Sequence, residues 1–179
     1  MIYTIGHSTR DLEAFRALLA AHRVGLVADV RRYPASRRYP HFAQRALAAA
    51  LEAAGIAYRH EPDLGGRWSA RKDSANTAWR STAFRGYADH MATPAFEQAL
   101  ARLITLADAQ AIAVMCAEAV PWRCHRQLIA DALLARGIAV RHIVGAGEAA
   151  DHRLSPHAQV LVDGRVRYPA GPSHQLPLG

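Results

Sequence analysis

Ala111-Ile112-Ala113-Val114-Met115-Cys116-Ala117-Glu118-Ala119-Val120-Pro121-Trp122-Arg123-Cys124-His125-Arg126 decides the fold. Ala111 to Met115 is a continuous apolar run, short enough for a strand buried on both faces. It stops at Cys116, and Glu118 follows. Pro121 suits the first turn of a helix, where a missing N–H costs nothing. That reading puts Cys124, His125 and Arg126 in the first turns of a helix beginning at Pro121. Thiol, carboxylate, imidazole and guanidinium groups then meet at a strand-to-helix junction, where open α/β sheets hold their ligands.

The chain around this stretch repeats the alternation. Ile2–Ile5 reads as a strand and Asp11–His22 as a helix with Leu12, Phe15, Leu18 and Leu19 on one face, capped by Ser8 or Thr9. Gly25–Val30 is a second strand, and strand, helix, strand at this spacing is a parallel βαβ unit. Residues 43–54 predict a helix with Leu47 and Leu51 inward, stopped by Gly55. Ile56–His60 is a third strand. Residues 61–92 lack steady periodicity and read either as a binding loop or as a short-helix excursion whose aromatics cover the sheet. Thr93-Pro94 opens a helix running to about Ala107. After the central strand and its helix, Gly137 is a stop, Ile138–Val144 a further strand and residues 145–156 a loop. Gln159–Val162 and Arg165–Tyr168, joined by Asp163-Gly164, predict a hairpin with a type I′ turn. The expectation is one α/β domain over residues 1–170: a mainly parallel sheet flanked by helices, a C-terminal β-hairpin, and a flexible tail over 171–179.

The 179 residues are 51% hydrophobic and 21% charged, which fits a globular chain with a full core and excludes a disordered one. No apolar run reaches about 18 residues, so no membrane span is expected. No basic leader or cleavage site precedes the first strand, and the cytoplasm is the expected location. Net charge is +7, and Lys72 is the sole lysine among the basic residues. Arginine presents a planar fork for phosphate, so nucleic acid or a phosphorylated small molecule is the expected partner. A GC-rich genome would also give an Arg-rich, Lys-poor chain. Cys116 and Cys124 are too few for a disulfide scaffold and their spacing is not C-x-x-C, so they are expected as thiols.

Three strand ends converge on one sheet edge: His7 and Ser8, Asp29 and Arg31, Cys116 and Glu118. Asp29, inside an apolar strand, needs a partner, and Arg31, Arg32 or Arg126 can supply it. Asp29 and Glu118 together suit acid/base chemistry of the kind that cleaves glycosidic bonds; either carboxylate could instead only orient an arginine. Cys116 is a candidate nucleophile activated by His125 or Arg126, or simply a small buried hydrophobe. Arg123 lies seven residues after Cys116, not the six of a cysteine phosphatase loop. Cys116, Cys124 and His125 with a distant His60 or His157 resemble zinc ligands. Adjacent residues on a helix point about 100° apart, however, so no metal or other cofactor is expected. Gly6-His7-Ser8 and Leu64-Gly65-Gly66 are turns rather than a phosphate loop or dinucleotide fingerprint.

Thr4-Ile5-Gly6-His7-Ser8, Asp29-Val30-Arg31 with Pro34 and Ser36-Arg37, Tyr58 with His60, Leu64-Gly65-Gly66, Phe84-Arg85-Gly86-Tyr87, and Cys116-Ala117-Glu118 with Cys124-His125-Arg126 together resemble domain-of-unknown-function family 488. The resemblance runs from about residue 2 to about residue 158. It implies a single-domain α/β protein and no settled activity.

Three functions are therefore expected in turn. The first is a hydrolytic enzyme acting on a nucleic-acid base, nucleotide or nucleoside. Asp29 or Glu118 would be acid/base and His7 and Ser8 would position the substrate. Arg31, Arg37 and Arg126 would hold phosphate, and Trp68, Trp79 or Tyr87 would stack on a base. The second is a non-catalytic nucleic-acid-binding module. The third is a cysteine- or metal-dependent enzyme built on Cys116, Cys124 and His125.

Overall fold

The computed structural model describes residues 1–171. It is a three-layer α/β domain. Six strands form one sheet in the order β3-β2-β4-β1-β5-β6, with β1 Ile2–Gly6, β2 Leu26–Asp29, β3 Ala57–His60, β4 Ile112–Cys116, β5 Val140–Ile143 and β6 Ala150–Asp151. The first five are parallel, and β6 closes one edge antiparallel to β5. A two-stranded hairpin, β7 Gln159–Val160 and β8 Val166–Arg167, stands apart from it. Among the described residues no helix is long and apolar enough to cross a membrane.

Both faces of the sheet are covered, which is why its central strand reads as an unbroken apolar run. Ala113 and Met115 of β4 face α1 (Leu12–Ala21) and α2 (Gln44–Glu52), packing with Phe15, Leu19, Leu47 and Leu51. Ile112, Val114 and Cys116 face α3 (Thr82–His90), α4 (Pro94–Ala109) and α5 (Arg126–Leu134), packing with Tyr87, Phe96, Leu100 and Leu128. Burying one such side chain stabilises the fold by about 1.5–3 kcal/mol, so the two apolar layers hold each strand in place. The α4 helix starts where its sequence says, with Thr93 accepting from the Phe96 N–H and Pro94 in the first turn.

Several local expectations are corrected. The α1 cap is Asp11, which accepts from the Ala14 N–H at 2.7 Å, not Ser8 or Thr9. The helix after the central strand starts at Arg126 rather than Pro121. Pro121–Arg123 is a single 3₁₀ turn, and Cys124 follows with extended dihedrals, φ −138° and ψ 149°. This break lets the buried Arg126 side chain turn back to the Glu118 carbonyl. The hairpin turn is not type I′. Only Gly164 has positive φ, and the Gly164 N–H bonds to the Leu161 carbonyl while the Leu161 N–H bonds to Arg165, a three-residue loop with a bulge. Residues 145–156 contain β6. The tail expected at 171–179 lies, from residue 172 on, outside the described residues.

Residues 61–92 form an anchored excursion. Asp89 of α3 accepts from the Arg71 N–H, the Ser74 hydroxyl and the Asn76 amide. The backbone of Trp68–Ala70 lies directly against Gly86, where any Cβ would collide with the Trp68 carbonyl.

A buried polar chain fixes the C-terminal part. His152 Nε2–H donates to Asp131 at 2.9 Å, His142 Nε2–H donates to His152 Nδ1 at 3.0 Å, and the Thr4 hydroxyl donates to His142 Nδ1 at 2.7 Å. Asp131 also accepts from the Ser155 N–H and hydroxyl and the Tyr168 hydroxyl. Burial, then His152 and Arg126, push His142 down from 6.5 to about 4, with Asp131 opposing. The unfolded chain therefore binds a proton at His142 that the folded chain refuses. Its contribution to stability is complete above pH 6.5 and is lost as pH falls toward 4. Denaturant midpoints across this window are expected to fall with decreasing pH, and a His142→Gln variant is expected to flatten that slope. An unchanged slope in the variant would contradict the assignment.

Candidate functional site

The strands β1 and β4 lie side by side, but the chain leaves β1 toward β2 and leaves β4 toward β5. Neighbouring strands whose connections part in opposite directions open a crevice at their carboxyl ends. Here that crevice is a cleft of about 760 Å³ lined by His7–Thr9, Arg31–Tyr33, Ala35, Ser36, Arg38, Tyr39, Gly66–Arg67, Ala83, Phe84, Tyr87, Cys116–Ala119 and Arg123–His125. The volume falls in the roughly 300–1,000 Å³ range of small-molecule sites. Past the strand ends the two chains stay paired, with His7 N–H to the Cys116 carbonyl and Ser8 N–H to the Ala117 carbonyl. Gly6 permits this closeness, because a Cβ there would overlap the Glu118 carbonyl oxygen. Ser8 (φ 50°) and Arg67 (φ 68°), two of the three non-glycine residues with positive φ among the described residues, both line the cleft.

One wall rests on a buried ion pair. Asp29 accepts from Arg31 Nε at 2.9 Å and Nη2 at 2.6 Å, and from the Tyr58 hydroxyl at 2.7 Å. Burial, then Asp29, raise the Tyr58 pKa, so its hydroxyl stays a donor. The remaining Arg31 nitrogen, Nη1, reaches His7 Nε2 at 3.3 Å, and His7 Nδ1–H donates to the Ser8 carbonyl. Burial, then Arg31, lower the His7 pKa to about 4. His7 is thus neutral at pH 7, protonated on Nδ1 and stacked on Phe42 at 4.2 Å.

The floor holds the sulfur groups. Cys116 and Cys124 are both free and buried, and their sulfurs and a His125 ring nitrogen lie within 4.8 Å of one another. The neighbouring Cys116, then His125 and Arg126, pull the Cys124 thiol down against burial. Cys124 and burial push the Cys116 thiol up. Arg126 Nε donates to Cys124 Sγ at 3.4 Å.

The expected site residues are distributed unevenly about this cleft. Asp29 has both oxygens occupied by Arg31 and Tyr58 and does not line the cleft. Glu118, exposed, is the one carboxylate among the described lining residues. Of the three arginines expected to hold phosphate, Arg37 is exposed outside the cleft and Arg126 is buried beneath it. Arg31 borders the cleft but is occupied by Asp29. Arg38, Arg67 and Arg123 line it instead. Trp68 does not await a base: its ring lies between Arg32, at 4.0 Å, and His90, at 3.9 Å. Trp79 stacks on Phe84 at 4.9 Å. Tyr87 lines the cleft only as wall, its hydroxyl donating to the Leu64 carbonyl. His7, Ser8, Cys116, Cys124 and His125 do come together there. The Tyr39 and Phe84 rings, unassigned from the sequence, also line it. An Arg- and Tyr-rich loop over residues 33–42 was the available signal for Tyr39 and Arg38.

The family model described as domain of unknown function DUF488 matches residues 11–133, and the chain belongs to that family. No curated protein and no solved structure matches the chain.

Removing Asp29 leaves the Arg31 guanidinium buried without its partner. Asp29→Asn is expected to cost about 3–5 kcal/mol in denaturant unfolding. Gly6→Ala is expected to cost at least about 2 kcal/mol, against less than about 0.5 for Gly147→Ala, where nothing crowds the added methyl. Equal effects at the two glycines would contradict the strand-end crossing.

Proposed function

We propose that this DUF488 protein binds a nucleotide, or a nucleoside or base bearing phosphate, in the strand-end cleft and cleaves it hydrolytically. The observation that carries the reading is the cleft's lining. Five arginines and a single carboxylate face it, with Tyr33, Tyr39 and Phe84 among them. Guanidinium groups suit phosphate oxygens, and aromatic faces suit a base. Arg38, Arg67 and Arg123 hold the anion. Arg31 and Arg32 contribute field rather than contact, since one is held by Asp29 and the other by Trp68.

Glu118 is the acid/base in this reading. It stands alone at the rim, so a two-carboxylate mechanism is not the one supported; a single carboxylate that accepts a proton from water is. The Ser8 hydroxyl and the neutral His7 ring shape the pocket around it. His7 itself is a poor proton acceptor, because Arg31 donates to its one free nitrogen.

The reading is tested by thermal stabilisation against adenosine and guanosine monophosphates, the matching nucleosides, free bases and inorganic polyphosphate, at low and moderate salt. A ligand at about 100 times its dissociation constant contributes roughly 2.7 kcal/mol, a readable shift. A nucleotide is expected to stabilise the protein more than polyphosphate does, and Arg123→Ala is expected to weaken it about ten-fold. Glu118→Gln is expected to retain binding and lose turnover of that nucleotide by about 100-fold or more. Stabilisation by any polyanion, abolished by salt, would instead mark a nucleic-acid-binding module without catalysis.

A further inference from the structure

We infer that Cys116, Cys124 and His125 form a zinc site whose fourth position opens into the cleft. The argument starts from the break before α5. On a continuous helix the side chains of Cys124 and His125 would diverge. Extended dihedrals at Cys124 instead turn both toward Cys116. The three candidate ligand atoms lie within 4.8 Å of one another, and Cys124 Sγ is 3.7 Å from His125 Nδ1. Tetrahedral zinc, with Zn–S of about 2.3 Å and Zn–N of about 2.0–2.1 Å, needs S···N and S···S edges of about 3.6 and 3.8 Å. The Cys124–His125 separation is thus within a few tenths of an ångström of one edge, and the other two are at most 4.8 Å.

The surroundings match a metal ligand set. His125 Nε2–H donates to the Val30 carbonyl at 3.2 Å, which leaves the lone pair on Nδ1, the nitrogen facing Cys124. A backbone carbonyl fixing the second nitrogen is the usual support of a ligating histidine. The space beside Nδ1 is kept clear by Gly66, where a Cβ would come within 3.0 Å of it. Arg126 donates to Cys124 Sγ from the protein side, stabilising sulfur charge. Two thiolates and an imidazole select zinc over magnesium or calcium, which take oxygen ligands.

All three ligands line the cleft, and among the described residues no fourth His, Cys, Asp or Glu joins the group. Three protein ligands with one open position is the arrangement of a catalytic rather than a structural zinc. A metal there would polarise a substrate oxygen or bring the pKa of bound water to about 7. The inference goes beyond the reading of Glu118 and does not depend on it, since metal binding is read without substrate.

The test uses the full chain, stripped with a chelator and kept reduced. Titration with Co²⁺ is expected to give a thiolate-to-metal charge-transfer band that saturates at one equivalent and is bleached by Zn²⁺. Cys116→Ser, Cys124→Ser and His125→Gln are each expected to weaken binding by at least about ten-fold. His157→Gln, at an exposed histidine, is expected to leave it unchanged. Should a cysteine variant fail to fold, X-ray absorption of the zinc-loaded wild-type chain decides alone. Two sulfurs at about 2.3 Å and a nitrogen at about 2.0–2.1 Å are expected. Absence of a saturable band, a band indifferent to Cys124→Ser, or an all-oxygen and nitrogen shell would overturn the proposal.

Discussion

A carboxylate with no access to water must be paired, and Asp29 is the carboxylate on which this molecule's functional edge is built. It ends β2 and takes Arg31 in a two-pronged ion pair and Tyr58 of β3 in a third bond. Arg31 then extends to His7 at the end of β1. One buried charge pair thereby ties β3 to the ends of β2 and β1. Such a pair gains little net stability against an apolar substitute, because both charges are desolvated. What it confers is geometry: a fixed wall, a neutral His7 and a turn at Ser8 held in the left-handed region.

The other wall depends on a second buried arginine. Arg126 bonds the Glu118 carbonyl and Cys124 Sγ, so it holds the turn after β4 against the start of α5. Charge is placed unevenly as a result. Arginines beneath the cleft are structural, whereas Arg38, Arg67 and Arg123 at its lining are available to an anion. On the far side of α5 the chain Asp131–His152–His142–Thr4 performs the comparable task for the C-terminal segment, away from the cleft.

The strand-end convergence was legible in the sequence because continuous apolar runs and polar residues just beyond them are local patterns. So was the α/β alternation, and so was the need of Asp29 for a cation, although Arg31, Arg32 and Arg126 all fitted that need and only the structure selects Arg31. The start of α5 was not legible. Pro121 fits a 3₁₀ turn as well as an α-helix, and only the packing of Arg126 selects the former. That single break reverses the metal argument, because the divergence of Cys124 and His125 was a property of the assumed helix. Nor does sequence say where an arginine's guanidinium lands: Arg37 and Arg38 are adjacent, yet only Arg38 lines the cleft. The buried histidine chain escaped notice because its members are dispersed over 4, 131, 142 and 152.

The central claim is that the β1/β4 edge is where this protein meets its ligand. Hydrogen–deuterium exchange with and without adenosine or guanosine monophosphate tests it most directly. The account predicts added protection confined to residues 7–9, 31–39, 66–67 and 117–125. Protection centred on the β7–β8 hairpin, or none at a saturating nucleotide concentration, would contradict it.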